Sequence, residues 1–348
     1  MSLRWLVLGV IALLAVAGCT GRNITVAPGW AGVMVDGNEA YVGSLDGTVY
    51  KLDIKEGSVL WQFQQEKIGA IYGAPALDGE KVYVGSYNSR LYAFSRATGE
   101  LEWQRVTKGP IVGGPTVAGN AVLVGSSDGK LYAYDTSGDR ELWQFEADGR
   151  IWSTPVVEGD VVYFGSMGHS VYAVSLSTGK QLWRADVGGA VVARPLVVDG
   201  LVVVGAFDRK LYAFNASNGA VAWSFQADNW FWSGAVTDGT YIYAGALDGK
   251  LYALDKQGGL RWEFDAKSPL VSRPVLLSGG VLVASEKGRL HVTSVRDGHE
   301  QWFYDVGEKI RASVGASGDT AVVAGMGHKV LAVDVMKGRT LWSISTKK

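Results

Sequence analysis

At 348 residues, of which 47% are apolar, the chain can bury roughly three quarters of its unfolded surface, so a core needs neither disulfide nor metal. Basic and acidic residues nearly cancel, 33 against 34, and a formal charge of -1 gives no broad basic field, which argues against nucleic acid as a partner. The single cysteine, Cys19, excludes an internal disulfide.

In chain order, Arg4 comes first, followed by an apolar segment over residues 5–17 and the run Val16-Ala17-Gly18-Cys19. A charged start, a short apolar core and small residues before a cut predict a secretory signal peptide over residues 1–18 rather than a membrane span. No later apolar run approaches the length of a spanning helix. Residues 19–25 read as a short tether.

A tryptophan then recurs eight times, at Trp61, Trp103, Trp143, Trp183, Trp223, Trp262, Trp302 and Trp342, with steps of 42, 40, 40, 40, 39, 40 and 40. Such a period suits propeller blades or some helical repeats, and the content of one period decides for strands. Each period holds four short runs rich in β-branched and aromatic residues, closed by turn signals such as Asp78-Gly79, Asp128-Gly129 and Asp248-Gly249. A glycine precedes the tryptophan by four residues in nearly every copy, as at Gly57, Gly99, Gly179 and Gly219. Repeated four-stranded antiparallel units predict an all-β, eight-bladed β-propeller over residues 26–348. The blades fall at about 26–64, 65–106, 107–146, 147–186, 187–226, 227–265, 266–305 and 306–346. Unbroken spacing without a Pro/Ser-rich linker favours one closed ring over two smaller ones.

Function is expected where the copies differ, because a blade scaffold is generic. With the inner strands aligned on Pro75, Pro115, Pro155, Pro195 and Pro274, the third preceding position reads Trp30, Tyr72, Val112, Trp152, Val192, Trp232, Val271 and Arg311. One step before the proline, Arg194 and Arg273 stand among small residues. Trp30, Tyr72, Trp152, Trp230, Trp232, Arg194, Arg273 and Arg311 are therefore predicted to converge on one rim of the channel. Trp, Tyr and Arg are the residue types enriched at interface anchors. The competing expectation is that the aromatics pack between blades and the arginines pair with local Asp residues. Met167-Gly168-His169 and Met326-Gly327-His328 occupy the same hairpin of blades four and eight, where a turn role suffices for both histidines.

The pattern Leu-Tyr-Ala-Phe/Tyr/Leu followed by a Gly turn and Trp, at residues 91–103, 131–143, 211–223 and 251–262, resembles the PQQ-type (quinoprotein-like) propeller repeat. That resemblance implies that the eight repeat tryptophans dock between blades against the Gly turns, as large rings at one register of an outer strand would. The run ending at Cys19 resembles the lipobox of bacterial lipoproteins, which implies lipid chains on Cys19 as the membrane attachment. Thr20 is not the Asp that resembles an inner-membrane retention signal, which favours the outer membrane in a two-membrane host.

A lipobox followed by eight such repeats resembles the BamB family of lipoproteins, subunits of the outer-membrane β-barrel assembly machinery. The resemblance implies a non-catalytic scaffold with protein partners in the cell envelope. The alternative is an extracytoplasmic propeller that binds or senses a small molecule, a quinone or a glycan, on its aromatic rim. Quinoprotein alcohol dehydrogenases share only the repeat, and the adjacent Cys-Cys pair they carry over the quinone is missing here, so no PQQ cofactor is expected. With no phosphate-binding loop, no metal-ligand spacing and no Gly-x-Ser-x-Gly elbow, neither a catalytic residue nor a metal is expected.

Overall fold

The computed structural model describes residues 30–64, 68–327 and 329–345. The signal peptide, Cys19, the tether, Lys67 and His328 lie outside the described residues, as does the side chain of Trp30. Thirty-two strands form eight four-stranded sheets, each antiparallel and ordered as the chain runs, and no helix occurs among the described residues. The protein is an all-β, eight-bladed propeller.

Blade four is representative: Val156–Glu158, Val161–Gly165, Ser170–Ser175 and Gln181–Asp186 run from the axis outward. The two middle strands are covered on both faces, so they read as nearly unbroken apolar runs, as in Ala121–Gly125, all of it buried. The outermost strand alternates, half-buried toward the next blade and exposed toward solvent, as in Leu101–Val106. In every blade the pairing of third and fourth strands slips by one residue next to the repeat tryptophan; in blade two Ala93 faces Trp103 and Phe94 faces Leu101. A bulge at this point adds twist and turns the indole toward the neighbouring sheet.

The core is eight wedges, each between two consecutive blades, and one of them joins blade eight to blade one through Val322, Val330, Val33 and Val42. Two contacts repeat in these wedges. At the end of the second strand a glycine accepts an aliphatic or aromatic side chain from the next blade: a Cβ on Gly85 would sit 2.2 Å from Ile111 Cγ2, and one on Gly165 2.1 Å from Val191 Cγ1. Farther out each indole covers the Gly turn of the following blade, where Gly99, at φ +75°, would place a Cβ 2.6 Å from Trp61. The Trp61 indole N–H donates to the Arg96 carbonyl at 3.0 Å, and Trp103, Trp143, Trp183, Trp223 and Trp262 repeat the bond one blade on. Trp342 closes the series by covering Gly57 and donating to Ile54 of blade one. Trp302 sits more loosely, 3.6 Å from the Cβ position of Gly338.

Closure uses blade one's own innermost strand, Trp30–Asp36, which packs against the first two strands of blade eight and takes the Val33 N–H to Ser313 O bond at 3.0 Å.

Candidate functional site at the loop end of the ring

In seven blades one backbone bond, 2.8–3.0 Å long, fastens the loop entering the blade to the turn between its second and third strands. The amides of Tyr87, Ser127, Met167, Phe207, Leu247, Glu286 and Met326 donate to the carbonyls of Ala70, Pro110, Arg150, Ala190, Trp230, Pro269 and Lys309. Both kinds of loop therefore lie at one end of the ring, and side chains on them share a surface.

The Asp at the hairpin tip does more than form a turn. Asp128 accepts from the Lys108 amide and the Tyr132 hydroxyl, both at 2.8 Å, and Asp248 accepts in the same way from the Asp228 amide at 3.1 Å and Tyr252 at 2.8 Å. One carboxylate thus joins the entering loop, the turn and a tyrosine of the third strand. Blade four reverses the supply: Gly168 stands at the tip, and Asp148 from the entering loop fills the space, bonded to Ser166, Ser170 and Arg184. A Cβ on Gly168 would lie 2.2 Å from Asp148 Oδ1. Burial raises the Asp148 pKa, but its bonds to Ser166, Ser170 and Tyr172 and the Arg184 charge outweigh this and hold it below the ordinary value. Blade eight repeats the exchange with Glu308, which accepts from the Gly327 amide at 2.9 Å. This accounts for the Met-Gly-His variation in both blades. His169 takes a left-handed conformation, φ +71°.

The aromatic positions differ from their expected place. Tyr72, Trp152 and Trp232 precede the innermost strands of their blades, which are only two or three residues long, as in Ala76–Leu77 and Val156–Glu158. The physical reason is crowding at the axis, where these segments bond to the neighbouring blade as well as to their own, as Ser153 Oγ does with Gly165. Gly114 N–H donates to Thr154 Oγ1 at 2.9 Å, and Ser233 Oγ to Ser272 O at 3.0 Å. Gly32, Ala74, Gly114, Thr154, Arg194, Gly234, Arg273 and Ser313 occupy one register around the axis, and a Cβ on Gly32 would meet that of Ala74 at 2.9 Å.

The predicted rim residues do not form one cluster. Tyr72 meets Tyr87 edge-on at 5.7 Å, and the Trp152 indole donates to Ser127 Oγ at 2.9 Å. Arg311 is engaged by Glu286 on the blade-seven hairpin, Nε to Oε1 2.8 Å. Trp30 contributes backbone, paired with Ser44. Blades five to seven do bring residues together. Trp230 and Trp232, on the loop entering blade six, both stack on Phe207 at the blade-five hairpin, with centroids 4.7 and 5.2 Å apart and planes inclined by 8° and 21°. All three rings are half-buried. Sequence reasoning missed Phe207 and Glu286; the available signal was an aromatic, or an acid without a following glycine, at a hairpin position that reads Ser127 and Leu247 elsewhere.

Beside this stack, Arg194 and Arg273 flank the blade-six segment Gly234-Ala235. A Cβ on Gly234 would lie 3.2 Å from Arg194 Cβ, and Arg273 Nε donates to Ala235 O at 3.2 Å. By solvent accessibility Arg194 is exposed and Arg273 half-buried. Burial, with the like charge of Arg194 added, pulls the Arg273 pKa down to about 10, and burial lowers that of Arg194 as well. No carboxylate among the described residues counters either shift.

The chain has no match among curated proteins. Similar solved structures include the computationally designed Ika8 protein, at TM-score 0.77 and 15% identity over 86% of this chain and 94% of that one. BamB from Moraxella catarrhalis is similar at TM-score 0.72 and 17% identity, over 91% of this chain and 96% of that one. Identities this low establish the shared fold alone. The family model described as outer membrane protein assembly factor BamB matches residues 45–151, 128–230 and 229–348, and the chain belongs to that family.

Proposed function

We propose that the protein is a non-catalytic, membrane-anchored scaffold that binds protein partners in outer-membrane β-barrel assembly. The observation that carries this reading is the Trp230, Phe207 and Trp232 stack. It is a half-buried aromatic group held by backbone bonds at the loop end of a rigid ring, in a family described by an assembly factor. Rigid aromatic side chains anchor protein interfaces at low entropic cost. Lipid on Cys19 would hold the chain at the periplasmic face of the outer membrane and confine its search for partners to a surface. The scaffold needs no cofactor for this work.

The test is crosslinking and co-purification of the tagged chain from its native membrane, beside a Trp230→Ala/Trp232→Ala variant and a Cys19→Ser variant. The expected result is recovery of a barrel-assembly protein, reduced at least about tenfold by the aromatic pair, given hot-spot losses of 2 kcal/mol or more. Cys19→Ser should release the chain from the membrane fraction. If the wild type recovers no protein while glycans or quinones protect its tryptophan fluorescence, the scaffold reading is refuted in favour of small-molecule binding.

A further inference from the structure

We propose that Arg194 and Arg273 form an axial anion site that binds a carboxylate group across the Gly234-Ala235 segment of blade six. Three observations converge. The two arginines stand at one register in blades five and seven, and the intervening blade has glycine there, so no side chain separates them on the channel side. The other positions of this register are Gly32, Ala74, Gly114, Thr154 and Ser313, so the positive charge gathers on one arc of the axis. Among the described residues the Arg273 side chain is fixed by a backbone carbonyl through Nε, while no ion pair engages either guanidinium.

Holding two like charges near each other is unfavourable, and a structural role does not require it. Arg311, another arginine at this end of the ring, shows the ordinary solution, a carboxylate supplied by the protein at Glu286. Arg194 and Arg273 lack that internal counterpart, so the geometry suits one from outside. A planar carboxylate can accept from both guanidiniums, and charge-assisted bonds of this kind are about twice as strong as neutral ones. The carboxylate can belong to a small acid or to an acidic side chain of a peptide segment lying over the Trp230, Phe207 and Trp232 rings.

The experiment compares thermal unfolding and calorimetric titration of the purified full-length chain with Arg194→Gln, Arg273→Gln and the double variant. The probes are glutarate and a blocked hexaglutamate peptide, with sodium chloride matched for ionic strength as control. Glutarate is expected to raise the wild-type Tm beyond the chloride control, because a ligand that binds only the folded state stabilises it. Each single variant should weaken binding at least about tenfold, the loss of one charge-assisted pair, and the double variant should abolish it. Without ligand Arg194→Gln should unfold at or above the wild-type temperature, since it removes a like-charge repulsion, whereas Arg273→Gln also loses the bond to Ala235 O. A hexaglutamate affinity above that of glutarate identifies a peptide segment as the source, and the reverse order a small acid. Absence of any shift with both probes, equal binding by the variants, or a ligand-free Arg194→Gln that unfolds well below the wild type would overturn the site. Glutarate binding by the isolated chain requires no partner, so it can succeed or fail independently of the scaffold reading.

Discussion

Replacing Gly85 by alanine tests the knob-and-hole contact that joins the blades. The new Cβ would sit 2.2 Å from Ile111 Cγ2, while the next nearest atoms, Ile111 Cβ and Gly113 O, lie at 3.2 and 3.5 Å. The clash is therefore with one methyl group of a fully buried side chain in a close-packed wedge. Overpacking of this kind costs about 1–3 kcal/mol, less the few tenths that alanine recovers through its smaller chain entropy in a strand. Ile111→Ala alone should cost about 2–5 kcal/mol by leaving a cavity. In the double variant the Cγ2 atom is gone and the added methyl occupies part of that cavity, so its stability should match or exceed that of Ile111→Ala. The predicted coupling is about 1–3 kcal/mol, within the range for residues in contact. Urea unfolding of the four proteins, with midpoints and slopes fitted together, measures it. Additivity within about 0.5 kcal/mol would refute a wedge built on that contact.

Three further outcomes follow from the same geometry. Glu39 bonds to Lys51 at 2.7 Å and to Arg96 at 2.9 Å; burial opposes its charge, but Lys51, Tyr41 and Arg96 together hold its pKa at about 2 against an ordinary 4.5. A depressed carboxylate contributes stability that is full above pH 4.5 and lost as pH falls toward 2. After allowance for solvent screening that is about 1–2 kcal/mol. Glu39→Gln should flatten the wild-type decline over this window, and an unchanged pH profile would count against the network. Trp143→Phe forfeits an indole bond of 2.7 Å to Leu176 O, whereas Trp302 rests loosely on Gly338. The first substitution should cost about 1 kcal/mol more than Trp302→Phe in thermal unfolding, and equal losses would contradict the packing difference. Gly168→Asp should destabilise by about 1–3 kcal/mol through its clash with Asp148, and adding Asp148→Gly should restore at least half by recreating the arrangement of blade five, where the Gly188 amide donates to Asp208. A double variant no better than Gly168→Asp would show that the two positions do not share one role.

The repeat determined most of the fold by itself. Tryptophan spacing set the number of blades, and the alternation of apolar runs with Asp-Gly turns set four strands in each, because periodicity and turn chemistry are local properties of a chain. The resemblance to the PQQ-type repeat implied that the tryptophans dock on Gly turns, and the structure assigns each indole to the turn of the following blade, where glycine leaves room for it at a positive φ. The loop end was less legible. Tyr72, Trp152 and Trp232 align with strands in sequence, yet the crowded axis makes their segments bond across blades, a non-local competition that no single period contains.

The same limit applies to charge. Arg194, Arg273 and Arg311 look alike in the sequence, and only the tertiary structure separates them: Glu286 reaches Arg311 from the blade-seven hairpin, while Arg194 and Arg273 pack against the Gly234-Ala235 segment without an ion pair among the described residues. Chain order specified which residues each blade carries. Closure of the ring, sealed where Trp342 covers Gly57, decided which of them meet, because side chains from different blades become neighbours only when the first and last wedges pack.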